Sequence, residues 1–217
     1  VYPINGDRSA AADRYIQSLA RDGFEPLALF MREQARIYGL PLRAPVEVYL
    51  APRVDATPPE PPQQGNRVEV MLWSLQLRFW AWRHDGYSGP KPHVRMFVRY
   101  FAPLPNARLQ HSVGLRQGLI GVVNAFASAD MEGGNQVVIA HELLHTFGAT
   151  DKYDPASNQP LFPDGYAEPN VAPLLPQSKA EVMAGRIPLS ATRAETPRGL
   201  DETMIGAATA REISWIK

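Results

Sequence analysis

The stretch His141-Glu142-Leu143-Leu144-His145-Thr146-Phe147-Gly148-Ala149-Thr150-Asp151-Lys152-Tyr153 decides how this chain is read. At 3.6 residues per turn, His141 and His145 project from one face of a helix, one turn apart. Two imidazoles so placed can share one zinc ion, and Glu142 leans beside them without being a ligand. A catalytic zinc ion needs a third protein ligand and an open position for water. Asp151 follows His145 by six residues, and Gly148 between them permits a left-handed, helix-ending turn. Such a turn would bring the carboxylate back to the metal, so Asp151 is the expected third ligand. Asp154, Glu168 and Glu181 are its less well placed rivals.

The rest of the composition narrows the chemistry. The 217 residues include no cysteine, which excludes thiolate zinc sites, thiol nucleophiles and iron–sulfur clusters. Any metal must be held by nitrogen and oxygen. Basic and acidic side chains balance at 22 each, giving no global field for nucleic acid. No apolar run approaches a membrane span, and there is no G-x-S-x-G, G-x-x-x-x-G-K or G-x-G-x-x-G. The 21 prolines are about twice the usual share of roughly 5%. None falls between Asn106 and Asp154, whereas seven lie from Pro155 to Pro188. The gap marks a segment that needs uninterrupted backbone hydrogen bonding.

Working outward, Ser9 is an N-cap for a helix through Tyr15, Ile16 and Leu19, stopped at Asp22-Gly23. Pro26 opens a second, with Leu27, Phe30, Met31, Gln34, Ile37 and Tyr38 on one side and Gly39 as its stop. Val46, Val48 and Leu50 alternate with Glu47 and Tyr49, as in a strand. Pro58 to Gly65 is a stiff surface linker. From Val68 to Trp82 the stripe Val68, Met71, Leu72, Leu75, Phe79 and Trp82, widened by Trp73, Leu77 and Trp80, predicts a largely buried helix. Strands are expected at Val94–Tyr100, near Gln110–Val113 and at Ile120–Phe126. Gly133-Gly134 breaks the chain before a helix from Asn135 to Phe147, and Asp201-Glu202 opens a terminal helix through Ile213. The order predicts an α+β fold, with a small irregular region after Gly148. His84, His93 and His111 read as surface or strand histidines. Asp151, Asp154, Asn158 and Asp164 offer oxygens for calcium, but at no recognised loop spacing.

The segment matches H-E-x-x-H-x-x-G-x-x-D and so resembles metzincin-type zinc peptidases with aspartate as third ligand, most closely the snapalysin group of small secreted bacterial proteases. There, too, a tyrosine follows the aspartate by two residues, as Tyr153 does. Ala180-Glu181-Val182-Met183-Ala184-Gly185 resembles the methionine turn of that group, with Met204 a competing candidate for Met183. The resemblance covers about Ile120 to Gly185. The connection from Asp151 to Met183 is longer than expected there, and the group's cysteines are missing.

The resemblance implies one catalytic domain, 1–217, in two lobes. Residues 1–148 would carry a twisted mixed sheet, helices and the active-site helix; 149–217 would carry the third ligand, methionine turn and terminal helix. It implies one zinc ion on His141, His145 and Asp151, Glu142 as general base and acid, Tyr153 assisting, and Gly148 and Met183 in support. A protein or peptide substrate would lie extended along an edge strand, and the strand with Gln110 to Val113 is the expected edge. The alternative is a zinc-binding scaffold with little turnover. The start at Val1, the missing cysteines and the resemblance give the expectation of an exported bacterial protein.

Overall fold

Alternation in the segment around residue 97 sets the central layer. Met96, Val98 and Tyr100 turn to one face of a strand and Phe97 to the other, and all four are buried. The computed structural model describes residues 1–62, 66–104 and 109–217. Its sheet holds β1 (Tyr2–Asn5), β2 (Arg95–Phe101), β3 (Val113–Leu115) and β4 (Ile120–Phe126) in the order β1-β2-β4-β3. The first three in that order run parallel, and β3 is antiparallel to β4. The fold is α+β with a mixed sheet and, among the described residues, five helices.

Both faces of the sheet are covered. One core joins Met96, Val98, Tyr100, Val123 and Ala125 to α1 (Ala10–Ser18), α2 (Glu25–Ile37) and α4 (Glu132–Phe147). The other joins Tyr2, Ile4, Phe97 and Ile120 to α3 (Arg67–Arg83). The Ser9 and Gly39 caps act as the sequence indicates, but α1 ends at Ser18 and Asp22-Gly23 falls in a separate 3₁₀ turn, Arg21–Phe24. The Ser9 hydroxyl accepts from the Ala12 amide at 3.1 Å, and Gly39 leaves α2 at φ +69. Gln34, a polar residue on an apolar face, is buried because its Oε1 accepts the Ile205 amide at 2.8 Å.

Four further expectations change. Val46–Leu50 is not a strand. The true first strand is Tyr2–Asn5, four residues long with Pro3 inside, too short to show alternation. The Val1 and Pro3 carbonyls accept amides from Ala51 and Val54, so the later segment runs beside β1 without joining the sheet. The stripe on α3 is the outer face: Val68, Met71, Leu72, Leu75, Phe79 and Trp82 are 50–70% exposed, whereas Trp73, Leu77 and Ala81 are buried. Two opposed apolar faces on one helix give no periodicity to choose between.

Gly133 and Gly134 lie in the first turn of α4 rather than before it. Packing overrides propensity there: the Asn135 amide group exchanges two bonds with the Phe126 backbone, and Gln136 Nε2 donates to the Gly23 carbonyl. Asp201 and Glu202 sit in a 3₁₀ turn, and the terminal helix α5 spans only Ala207–Glu212. After Gly148, β5 (Ala180–Glu181) pairs with β8 (Thr203–Met204), and β6 (Ile187–Pro188) with β7 (Ala194–Glu195). Of the proline-rich linker, Gln63 to Gly65 lie outside the described residues, as does Asn106 at the start of the proline gap. Among the described residues, no helix is long and apolar enough to cross a membrane.

Candidate metal centre

The Asn135–Phe126 clamp fixes α4 against β4, which fixes where the next three turns point. His141 and His145 then stand one turn apart with their Nε2 atoms 3.0 Å from each other. Gly148 ends the helix at φ +105, a conformation costly for residues with a Cβ. Its amide donates to the carbonyls of His145 and Leu144, and the chain doubles back. Asp151 Oδ1 arrives 3.1 Å from His141 Nε2 and 3.2 Å from His145 Nε2. Among the described residues this is the one group of three side chains able to hold a metal ion.

Hydrogen bonding at the far side of each ring says what belongs at the centre. His141 Nδ1 lies 3.0 Å from the Val182 carbonyl, and His145 Nδ1 lies 2.8 Å from the Ala149 carbonyl. A carbonyl only accepts, so both Nδ1 atoms carry the proton. In the neutral rings both Nε2 lone pairs therefore face each other and a carboxylate oxygen, three acceptors with no proton among them. A cation resolves that arrangement. Ligand edges of 3.0–3.2 Å also suit a tetrahedral ion: bonds of about 2.0–2.1 Å give edges of roughly 3.3 Å. The donor set, two imidazoles and one carboxylate, fits a borderline ion such as zinc.

The electrostatics agree. Burial alone would lower the basicity of His141. The Asp151 hydrogen bond, the Glu142 charge and the Val182 carbonyl reverse this and raise it above the usual histidine range. Burial works to raise the Asp151 carboxyl, yet the two imidazoles outweigh it and hold it well below the usual carboxylate range. The centre favours positive charge.

Glu142 is buried, and its Oε2 has no hydrogen-bond partner among the described residues. Burial raises its carboxyl above the ordinary range, with His141 and His145 pulling the other way. A buried, unpaired carboxylate oxygen next to a metal-binding group is placed to accept a proton. The Tyr153 hydroxyl is pushed up first by burial, then by the charges of Asp151 and Glu142, so it shares the field of the site.

The region after Gly148 holds His141 and the loop of Asp151 in place. Val182 holds His141, and the Met183 carbonyl accepts the Lys152 amide at 3.0 Å, next to Asp151. Met183 is fully buried in this turn, whereas Met204 is half-buried on β8 opposite Glu181. The turn is organised by Glu181, also fully buried. Its Oε2 accepts the amides of Met183 (2.6 Å) and Ala184 (3.1 Å), and its Oε1 accepts the Gly206 amide (3.0 Å) and the Thr209 hydroxyl (2.7 Å). Glu212 fastens the other loop, accepting from the Thr150 amide and hydroxyl and from Lys152 Nζ at 2.6–2.9 Å.

The rivals for the third ligand are engaged elsewhere. Asp154 accepts from Ala156 and Ser157 in its own loop, Glu168 from the Ser178 hydroxyl, and Glu181 as above. Asp151, Asp154 and Asp164 are not gathered into a common group. His93 and His111 are exposed, and the His84 ring lies tilted against Trp80, centroids 4.7 Å apart.

The edge strand β3 passes beside α4. A Cβ on Gly114 would come within 2.4 Å of the Glu142 carbonyl and 2.6 Å of His145 Cβ, so only glycine allows this approach. The edge lies at Val113–Leu115, later than expected. Asn124 ends the ladder: its Nδ2 donates to the Gln110 and His111 carbonyls and its amide donates to Ser112 Oγ, replacing strand pairing.

Comparison with protein-family models and with characterised proteins gives no match for this chain. The spacing in the sequence indicated the three side chains that converge, but not the carbonyls of Val182 and Ala149, the Glu181 hub or the Glu212 clamp. Backbone partners leave no signal in a sequence. In the sequence Glu181 stands out as a rival ligand two residues before a methionine, not as the anchor of a turn.

Proposed function

We propose that the chain is a zinc-dependent endopeptidase of metzincin type, acting on proteins or peptides. The observation that carries the reading is the convergence of His141 Nε2, His145 Nε2 and Asp151 Oδ1 on one point, with each Nδ1 held by a backbone carbonyl, beside the unpaired Oε2 of Glu142. The left-handed Gly148, the antiparallel edge strand beside α4 and the buried methionine turn also support it.

His141, His145 and Asp151 would hold the zinc. When bound, zinc supplies Lewis acidity and brings the pKa of a coordinated water to about 7. Glu142 Oε2 takes a proton from the attacking water and returns it to the leaving amine nitrogen. Burial, by raising its carboxyl, brings Glu142 nearer the pH at which both transfers are balanced. Val182 and Ala149 keep both rings in the tautomer that offers Nε2. The Tyr153 hydroxyl supplies a donor near the carbonyl oxygen as charge develops there. An extended peptide would add to the outer edge of β3 through main-chain hydrogen bonds, which places its backbone beside α4.

The test is cleavage of a broad peptide library by zinc-loaded wild type and Glu142→Ala. The reading predicts zinc in both proteins and cleavage by the wild type alone. Stoichiometric zinc without any cleavage by the wild type would overturn it in favour of a zinc-binding scaffold.

A further inference from the structure

We propose that the outer face of α3 docks the molecule on an anionic phospholipid surface. The face is built from Met71, Trp82, Leu75, Val68, Phe79 and Leu72, side by side at 3.6 residues per turn and each at least half exposed. Together they expose on the order of several hundred Å² of contiguous apolar surface, which on a soluble protein marks an interaction site. Phe79 and Trp82 pair with ring centroids 5.8 Å apart, forming an aromatic wedge near the end of the helix.

Charge selects the partner. Arg67 and Arg78 run along one border of the stripe and Arg83 along the other, all exposed, and among the described residues none is in an ion pair. The acidic residue of the helix, Glu69, points off the stripe and is engaged in the capping box, accepting the Asn66 amide at 3.0 Å. An apolar stripe with Trp and Phe, bordered by arginines and free of acid, is the pattern of a helix lying in a bilayer interface. Its apolar side chains enter the acyl boundary while guanidiniums reach phosphates. The chain's net charge of zero does not oppose this, because the attraction is local to the helix.

A second copy of the chain fits less well. Stacking two such faces sets arginines against arginines, and one helix stripe falls short of the roughly 800 Å² per partner of a stable interface. α3 is also the one helix packed on its side of the sheet among the described residues, so it can lie flat. The sheet stands between α3 and α4, which leaves the metal centre on the side turned from the bilayer. The inference uses none of the site residues and is independent of the proposed function.

Co-sedimentation with vesicles of equimolar phosphatidylcholine and phosphatidylglycerol, against pure phosphatidylcholine, tests it. Wild type should pellet with the anionic vesicles. Leu75→Ser with Phe79→Ser and Trp82→Ser should reduce partitioning roughly tenfold or more. Arg78→Glu with Arg83→Glu should do the same, and both variants should keep the wild-type circular dichroism spectrum. Absence of wild-type binding to anionic vesicles would overturn the proposal, as would equal binding by folded variants. So would a wild-type dimer in sedimentation velocity that the serine variant converts to monomer without any vesicle binding.

Discussion

α3 and α4 are similar on paper, two long helices of 17 and 16 residues that both carry several leucines and valines. In the molecule they are opposites. α4 is enclosed: Val137, Ile139, Ala140, Leu143 and Leu144 are buried, as are the polar Asn135, Gln136, Glu142 and Thr146. α3 buries only Trp73, Leu77 and Ala81, and turns its other apolar half outward. Apolar content thus reports what a helix could cover, not what covers it. The number of layers around the helix decides burial, and that is set by the sheet and by the chain after Gly148.

The sharpest break of the comparison is at the metal centre of α4. His145→Ala should abolish zinc binding at stoichiometric metal and lower peptide cleavage by at least the factor of about 10²–10⁴ associated with losing the base. Metal analysis and library cleavage would check both. An equivalent change on α3, Trp82→Ser, should leave zinc content and cleavage of soluble peptides unchanged.

Glu181→Gln comes next. The carboxylate takes two donors on each oxygen, and an amide would turn its own NH₂ towards one of those pairs. Thermal unfolding should show a loss of about 2–4 kcal/mol. Zinc affinity should fall as well, because the turn that orients His141 loosens. Leucine truncations then compare the two faces of one helix. Leu77→Ala should cost about 2–5 kcal/mol, and Leu75→Ala, two residues away, no more than about 0.5 kcal/mol. Equal costs would mean that the outer stripe is covered in the folded molecule.

The smallest effect is acid sensitivity of the 150–152 clamp. Burial works to raise the Glu212 carboxyl, but hydrogen bonds from Lys152 and Thr150 outweigh it and hold it below the ordinary range. A depressed folded-state pKa contributes stability above the unfolded value, about 4.3 for glutamate. That contribution is lost as pH falls through the lower folded value. Glu212→Gln should therefore narrow its stability deficit to wild type below about pH 4, read by denaturant titration at several pH values.

Much of the site was legible because its spacing is local. His141, Glu142, His145, Gly148 and Asp151 fall within two helix turns and one reversal, where chain geometry alone sets what can meet. β4, the N-cap of α1 and the glycine stop of α2 were legible for the same reason. The misreadings came where distant partners decide the outcome. Tyr2–Asn5 becomes a strand only beside β2, Asn124 cuts short the Gln110–Val113 strand through its side chain, and the outer face of α3 lacks the cover its pattern suggested. Glu181 belongs with these: a rival metal ligand by type, it is spent instead on four donors from two separate segments.

The central claim is that His141, His145 and Asp151 hold a zinc ion through two Nε2 atoms and a carboxylate oxygen. X-ray absorption at the zinc edge, on protein loaded with one equivalent of zinc, tests it most directly. The account predicts a four-coordinate ion with two imidazole nitrogens and oxygen donors at about 2.0–2.1 Å, and no such shell in His145→Ala. A first shell without imidazole, or one unchanged in His145→Ala, would contradict it.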